Sequence, residues 1–494
     1  MSIKKNTFSC DVCIVGAGIT GLTLAYHLQK SGLRVTVLEK AKRPGGAMQT
    51  EISDGFLFDQ GPSGTFFKSP AVEHLINDLG LQAQVQFANE DAANRYFVKD
   101  GALHPLATGP MAFLASNLMS WRGKLRLGME PFLRAKSENS RESVADFARR
   151  RLGQEGLERL IDPLIAGIYA GDPEQLDFQF TLPRLAAMEQ KYGSIARALL
   201  AMQRARRKKS ASEIAKSKMF SFDGGMHVLA DSLARQLGDA LLLTAEVQLI
   251  EQSEHSVEVK YNHSVEGMQV LNARTLVLAT PAYASAPLLA PIDAKVSETL
   301  MNIDYSKVAV VFHGYEKKQI KHPLDGFGFL VPAIENRKIL GSTWSSTKFL
   351  NRAPQGYVAL KTFIGGERQP ELLQNNEDEL FNIVESELAN LIHVTGQPIS
   401  RKIRIWPNAI PQFGLQHKAV LETIAAFEAE HHQIRIAGNF LQGVGVSDCI
   451  KNAANMASEI IEEHHSGRIT QRDESKSSQA FETTATARPA LSGN

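Results

Sequence analysis

Three glycines, Gly16, Gly18 and Gly21, stand in the spacing G-x-G-x-x-G, and a carboxylate, Glu39, follows eighteen residues beyond the last of them. The chemistry these residue types serve is the binding of a dinucleotide. Gly16 permits a tight turn, Gly18 lets the backbone approach a pyrophosphate, and Gly21 lets a helix pack closely on a strand. Ala17, Ile19 and Thr20 complete the turn, where backbone N–H groups and the positive end of a helix dipole meet the phosphates. Glu39 is placed to accept from the adenosine ribose hydroxyls. Its charge repels a 2′-phosphate, so FAD or NAD is favoured over NADP.

The elements that must position these residues surround them. Cys10 to Val15 reads as a short apolar strand, the residues after Gly18 as an amphipathic helix, and Arg34 to Leu38 as a second strand. Chance produces G-x-G-x-x-G in loops; here strand, helix and carboxylate all fall in place. A strand, a glycine-rich turn and a helix recur at residues 434 to 463, a pattern that by itself suits any such turn. Between them the chain makes two excursions. Residues 95 to 215 are mostly helical by periodicity, as in Val144 to Leu152 and Leu157 to Leu164. The chain returns through Phe220 to Met226, a helix to Leu237, strands near 240 to 250 and 256 to 261, and a strand Thr275 to Ala279. Residues 300 to 405 then alternate as Val308 to Phe312, Gly326 to Val331, Ile339 to Trp344 and Val358 to Ile364, a sheet able to roof a pocket.

At 494 residues and 43% hydrophobic, the chain suffices for two or three cores. A net charge of +1 argues against nucleic acid as a partner. Three cysteines are too few for a disulfide framework and point to a reducing compartment, the cytoplasm. Cys10 and Cys13 spell C-x-x-C but bracket the first strand, so two small strand residues is the better reading than a redox or metal pair; Cys449 reads as a small packed residue. No metal site is read. Only about nine residues precede the first strand, too few for a cleaved leader, and no apolar run reaches bilayer length. The expectation is a protein that is soluble or peripheral on a membrane. Met111 to Trp121, apolar and followed by Arg122, Lys124 and Arg126, suits an interfacial helix and a packed one equally. The basic run Arg204 to Lys209 reads as a solvated linker, with attachment to anionic lipid the minority reading. The tail 466–494 has the composition of a disordered segment.

Residues 39 to 62 run Glu39-Lys40-Ala-Lys-Arg43-Pro-Gly45-Gly46-Ala47, then Gly55-Phe-Leu-Phe-Asp59-Gln-Gly61-Pro62. This resembles the extended flavin motif of the amine oxidase and protoporphyrinogen oxidase superfamily. Ala47 departs from a basic residue common there. Ile434 to Asn439 with Gly443 to Ile450 resembles the superfamily's third flavin segment, whose helix points its dipole at the flavin N1/O2 edge. The resemblance implies non-covalent FAD held by Gly16, Ala17, Gly18, Ile19, Thr20, Gly21, Glu39, Lys40, Arg43, Gly45, Gly46, Gly61, Pro62, Gly438, Asn439, Val444 and Val446, with Val247 meeting the adenine through its backbone. Mid-chain segments sharpen the resemblance to the oxygen-dependent protoporphyrinogen oxidases: Asn94-Arg95-Tyr96-Phe97, Leu160-Ile-Asp-Pro163, Gly167-Ile-Tyr-Ala-Gly171, Glu189-Gln190 with Gly193-Ser194, Gly326 to Pro332, Arg352-Ala-Pro354, and Ile410-Pro-Gln412 with His417. It covers residue 10 to about 463.

The fold so implied is α/β: a Rossmann-type FAD-binding domain assembled from 8–94, 216–290 and 406–465, a helical excursion 95–215 toward substrate and membrane, and a mixed-sheet substrate domain 291–405. The implied reaction is FAD-dependent oxidation of protoporphyrinogen IX by molecular oxygen, giving hydrogen peroxide. Its substrate residues match Arg95 as a propionate anchor, Leu330, Thr343 and Phe363 as ring clamps, and Gly167, whose carbonyl faces the pyrrole N–H groups; no acid or base is assigned. Without the resemblance Arg95 is a surface residue, Leu330 and Phe363 are core, and Gly167 is a helix breaker. Three alternatives stand beside this reading. One is the coproporphyrinogen III oxidase branch, against which Arg95 inclines. Another is a flavin amine oxidase, for which Lys307 sits where such enzymes carry a lysine, although a strand-edge lysine in solvent is its plainer reading. The third is a non-catalytic protein of the same fold, such as the GDP-dissociation inhibitors. Peripheral membrane contact and a homodimer are the open partner expectations.

Overall fold

The computed structural model describes residues 7–92, 94–106, 109–133, 141–206 and 218–466. The first strand, Thr7–Val15, lies between two parallel neighbours, Val35–Glu39 and Gly267–Leu278. Leu241–Leu243 pairs outside the former and Ile434–Ile436 pairs parallel with the end of the latter. Val257–His263 and Ala245–Gln252 extend the sheet antiparallel, completing seven strands. Parallel strands are covered on both faces and so are apolar throughout. Val12 and Ile14 pack under the helices Ile19–Lys30, His227–Leu237 and Val446–His465, while Cys10, Cys13 and Val15 face the helix Ala282–Leu289. All three cysteines are free and buried, and burial pushes the Cys10 thiol up to about 11.

A second seven-stranded sheet runs Ser400–Pro411, Tyr305–Glu316, Tyr357–Gly365, Gly341–Trp344, Gly326–Leu330, Asn94–Lys99, Ala102–Pro105. Its back face, with Tyr96, Ala309, Val311, Phe329, Trp344 and Leu360, packs on the helix Glu377–Ile392. Side chains alternate between faces along a strand, so the neighbouring positions point to the front.

Several expectations shift. The hairpin Asn94–Lys99 and Ala102–Pro105 closes this sheet instead of opening the helical excursion at 95, and Ser400–Pro411 runs unbroken through the 405/406 boundary. Ladder hydrogen bonds, invisible to a composition-based boundary, decide both. Leu157 to Leu164 is helical as the periodicity implied, though not α throughout. A π turn, Leu157–Ile161, precedes the helix Asp162–Tyr169, whose first turn holds Pro163. Gly167 sits inside that helix and does not break it. The apolar stretch from Met111 holds only a short helix, Pro110–Ala115; a new one, Trp121–Gly128, starts where Ser120 Oγ accepts from Gly123 N at 3.1 Å. Residues 207–209 of the basic run and the tail 467–494 lie outside the described residues.

The helical layer is fastened by a buried charge cluster. Arg151, fully buried, donates through Nε to Glu189 at 2.7 Å and faces Glu130 at 3.3 Å. Glu130 in turn accepts from Ser194 Oγ at 2.6 Å and from the N–H groups of Ile195 and Ala196. Satisfied on all sides, such a cluster specifies one arrangement; removing one member costs roughly 3–5 kcal/mol.

Candidate functional site

The three glycine segments follow the carboxyl ends of three parallel strands of one sheet, Thr7–Val15, Val35–Glu39 and Ile434–Ile436, the end at which such sheets bind ligands. Gly16 has φ +105°, and a Cβ there would stand 2.9 Å from Ala279 O. At Gly21 a Cβ would stand 2.0 Å from Gly16 O, so helix and turn touch backbone to backbone. At Gly18 nothing lies within 4 Å of a Cβ position. That open space, at the N-cap of Ile19–Lys30, is what a pyrophosphate needs, and the residues present fit a dinucleotide. Glu39 accepts from Ala17 N at 2.7 Å and from Ala41 N at 2.8 Å, which aims the carboxylate at the turn. Each oxygen keeps a lone pair for a ribose hydroxyl.

Gly45 bridges to Gly18, its N–H donating to Ala17 O at 2.7 Å, so the second glycine pair lies against the first. Gly46 approaches Gly18 closely, since a Cβ there would be 3.3 Å from Gly18 Cα. Lys40 and Arg43 are exposed in the intervening loop. Gly61 presses on Ala47 O, and Pro62 is half-buried. Gly438, Asn439 and Val444 are half-buried beyond Ile434–Ile436, and Val446 opens the helix that packs along Ile19–Lys30. Thr65 Oγ1 meets Ser447 Oγ at 3.2 Å and Lys68 pairs with Asp448 at 3.1 Å, joining the second and third segments. His417 supports the third: burial lowers its pKa, and its Nε2 stands 3.0 Å from Leu441 O, so the neutral ring carries its proton there. Val247 lies at a β-bulge, where an irregular backbone leaves ladder groups available.

The front face of the second sheet gathers the expected substrate residues. Leu330, Gly341 and Phe363 are register partners across three strands, and Gly328, Thr343 and Lys361 form the neighbouring rung. Gly341 adds no side chain of its own between Leu330 and Phe363, and Leu330 leans over it, its Cδ2 3.2 Å from where a Cβ would stand. Arg95 shares this face on Asn94–Lys99, its guanidinium 4.9 Å from the centroid of Phe327. Gly167 approaches Leu330 on this face, where a Cβ would be 2.6 Å from Leu330 Cδ2. Asp162, in the same helix, accepts from Ala333 N at 2.8 Å and Arg368 Nη2 at 2.7 Å, fixing helix to sheet.

Sequence reasoning missed two lysines here. Lys361, 1% exposed, donates to Asp59 O at 2.7 Å, to Gly61 O and to Ser63 Oγ at 3.1 Å, tying the flavin loop to the sheet. Lys348, ending the short helix Ser345–Lys348, has its ammonium 4.2 Å from the Phe327 ring and 5.0 Å from Phe349. Burial lowers the Lys348 pKa to about 7 and that of Lys361 to about 8. The available signal was a lysine amid apolar residues, which reads more simply as a strand edge. Lys307, weighed for amine chemistry, is exposed at a bulge in Tyr305–Glu316.

A Rossmann-type cradle at the carboxyl ends of parallel strands, beside a sheet with an apolar rung on its front face, defines an FAD-dependent oxidoreductase. The model for flavin containing amine oxidoreductases matches residues 19–461, and the chain belongs to that family. Among its relatives, protoporphyrinogen oxidase 2 of Arabidopsis thaliana is 31% identical over 91% of this chain and 93% of its own. The chloroplastic protoporphyrinogen oxidase of Nicotiana tabacum is 32% identical over 91% and 85%, and coproporphyrinogen III oxidase of Bacillus subtilis is 28% identical over 89% and 95%. A solved chain from Exiguobacterium sp. 255-15, assigned to protoporphyrinogen oxidase, superposes with TM-score 0.79 at 24% identity, covering 93% of this chain and 100% of that one. Reduced UDP-galactopyranose mutase shares the fold, with TM-score 0.70 at 15% identity over 93% of this chain and 97% of that one. A likeness at that identity speaks to fold alone.

Proposed function

We propose that this protein oxidises protoporphyrinogen IX to protoporphyrin IX, passing six electrons in three two-electron steps to molecular oxygen and releasing three hydrogen peroxide. The observation that carries this reading is the Leu330–Gly341–Phe363 rung, an apolar strip on the sheet face that also holds Arg95. Bound FAD supplies the hydride acceptor. The chain's own task is to hold a flat apolar macrocycle in register with it. Leu330 and Phe363 exclude water from the ring faces, and Thr343 borders them. Arg95 takes a propionate through a two-pronged contact. Gly167 lies in the last turn of its helix, where carbonyls have no intrahelical partner and can accept from pyrrole N–H groups. Lys361 keeps Gly61 and Pro62 against this wall.

Names of relatives support both porphyrinogen branches. Aerobic turnover of protoporphyrinogen IX against coproporphyrinogen III, scored by porphyrin fluorescence, tests the choice. A higher kcat/KM for protoporphyrinogen is expected. Preference for coproporphyrinogen moves the protein to that branch, and oxidation of neither sinks the reading.

Contact with a membrane surface is part of the same reading. Trp121, Leu125 and Phe132 are 68%, 69% and 83% exposed on the helical layer. Among the described residues no helix is long and apolar enough to cross a membrane. Of the three cations expected to assist, only Arg122 faces outward. Lys124 is buried, donating to Leu114 O at 2.7 Å and Ser116 O at 2.5 Å, and Arg126 donates to Arg150 O at 2.6 Å and Arg151 O at 3.2 Å.

A further inference from the structure

Lys348 is 4% exposed. Among the described residues its ammonium has no hydrogen-bond or ion-pair partner; aromatic rings are what it touches. Lys361, equally buried, has three oxygen acceptors, so the two lysines are not alike. The groups that act on Lys348 are Lys361, Arg352 and Arg95, all cationic, and a single carboxylate, Asp59. Asp59 is already committed: Oδ1 accepts from Thr50 Oγ1 at 2.8 Å and Met226 N at 2.9 Å, and Oδ2 lies 3.7 Å from Arg352 Nε.

A buried ammonium surrounded by cations is costly unless an anion joins it, and rings alone offset only part of that cost. Arg95 and Lys348 both lie over the ring of Phe327, at 4.9 Å and 4.2 Å. Phe327 is thus flanked by two positive groups, one of which already has an anionic ligand assigned in the porphyrinogen reading. We propose that Lys348 is a second anion-binding residue of the substrate site, taking a carboxylate of the tetrapyrrole beside the one taken by Arg95. The proposal rests on that reading. It makes two neighbouring carboxylates, not one, the feature by which the site orients its substrate. Lys361, bound to the flavin loop, stays outside this pair.

The test compares protoporphyrin IX with its dimethyl ester, by fluorescence titration of the flavin-loaded protein. The wild type should prefer the free acid, and Lys348→Met should weaken free-acid binding at pH 7 at least tenfold while leaving ester binding within about twofold. With protoporphyrinogen the loss should appear in KM. Lys348→Arg should keep the preference. An unchanged ratio of acid to ester affinity in Lys348→Met overturns the proposal while leaving the porphyrinogen reading standing. If that variant does not retain flavin, the wild type alone decides. Its acid preference should fall as pH rises above 7, because the ammonium that must meet the carboxylate is lost; a flat profile overturns the proposal. A wild type that neither binds nor oxidises any porphyrinogen overturns the reading and this inference together.

Discussion

Gly167 and Leu330 approach so closely that the helix Asp162–Tyr169 and the strand Gly326–Leu330 leave room for a hydrogen and not a methyl: a Cβ on Gly167 would stand 2.6 Å from Leu330 Cδ2. The obstructing atom is the far end of a flexible side chain, so the strand itself need not move. Gly167 fixes where Leu330 points.

Gly167→Ala should therefore be felt in catalysis more than in folding. Alanine in a helix gains about 1 kcal/mol over glycine, while overpacking costs roughly 1–3 kcal/mol, so net stability changes little. Leu330 is pushed away from Gly167 along the sheet face, and kcat/KM for protoporphyrinogen should fall about tenfold, a displacement worth about 1.4 kcal/mol. Adding Leu330→Ala should relieve the crowding. A steady-state assay of the three variants checks this; an additive loss in the double variant contradicts it.

Two glycines of the first turn should fail differently. Gly18→Ala meets open space, so the flavin-free protein should melt as the wild type does, yet flavin per chain should drop because the methyl occupies the pyrophosphate's place. Gly21→Ala places a methyl 2.0 Å from Gly16 O and should lower both flavin content and the melting temperature of the flavin-free protein. Absorbance at the flavin band and differential scanning calorimetry separate them.

Arg95→Ala should remove a charge-assisted hydrogen bond worth roughly 1.5–3 kcal/mol, a tenfold to hundredfold rise in KM with flavin content kept. Arg95→Lys should recover part of it, because an ammonium lacks the fork. Unchanged kinetics would remove Arg95 from the site.

Lys348 also gives a pH signature in the ligand-free protein. Its folded pKa is about 7 against an ordinary 10.5, with Lys361, Asp59, Arg352 and Arg95 facing it. Below pH 7 both states carry the ammonium and the full burial penalty is present. Between pH 7 and 10.5 the unfolded chain binds the extra proton, so this contribution to stability rises with pH. Lys348→Met should thus be more stable than the wild type at pH 6, the gap narrowing as pH climbs toward 10. Urea unfolding at several pH values reads the gap; a gap independent of pH contradicts the prediction.

Flotation with anionic liposomes should recover the wild type at low salt. Replacing Trp121, Leu125 and Phe132 by serine should abolish it, whereas neutralising Lys124 should not act through the lipid, since that ammonium is bonded inside the protein.

The flavin half of the molecule was legible because its chemistry is written in glycines. Gly16, Gly18 and Gly21 are demanded by backbone geometry, which leaves a local mark in the sequence. The strands Tyr305–Glu316, Gly326–Leu330, Gly341–Trp344 and Tyr357–Gly365 were also close to their expected places, since β-branched and aromatic runs announce themselves. The hairpin at Asn94 was not, because it joins a sheet whose other strands lie far along the chain. Arg95, Leu330 and Phe363 were reached through family resemblance, and the pairing of four strands is what puts them on one face. Lys348 and Lys361 escaped notice for a related reason: a buried lysine differs from an exposed one only in its neighbours, and those come from elsewhere in the sequence. In the Met111 stretch, apolar composition was seen but the break at Ser116 to Ser120 was not, and of the two readings left open for it Lys124 follows the packed one, donating to Leu114 O and Ser116 O.

The strand Ile434–Ile436 closes against Gly267–Leu278, and the helix after it completes the flavin crevice. On a ribosome this means that the cradle formed by the first forty residues must wait until the helix Val446–His465 has been made before it can hold its cofactor. Contacts so distant in sequence form slowly. The nascent chain therefore passes through a long interval with an apolar crevice and an unpaired strand flank, and the supply of FAD at the moment of release should govern how much of it reaches the native state rather than aggregating.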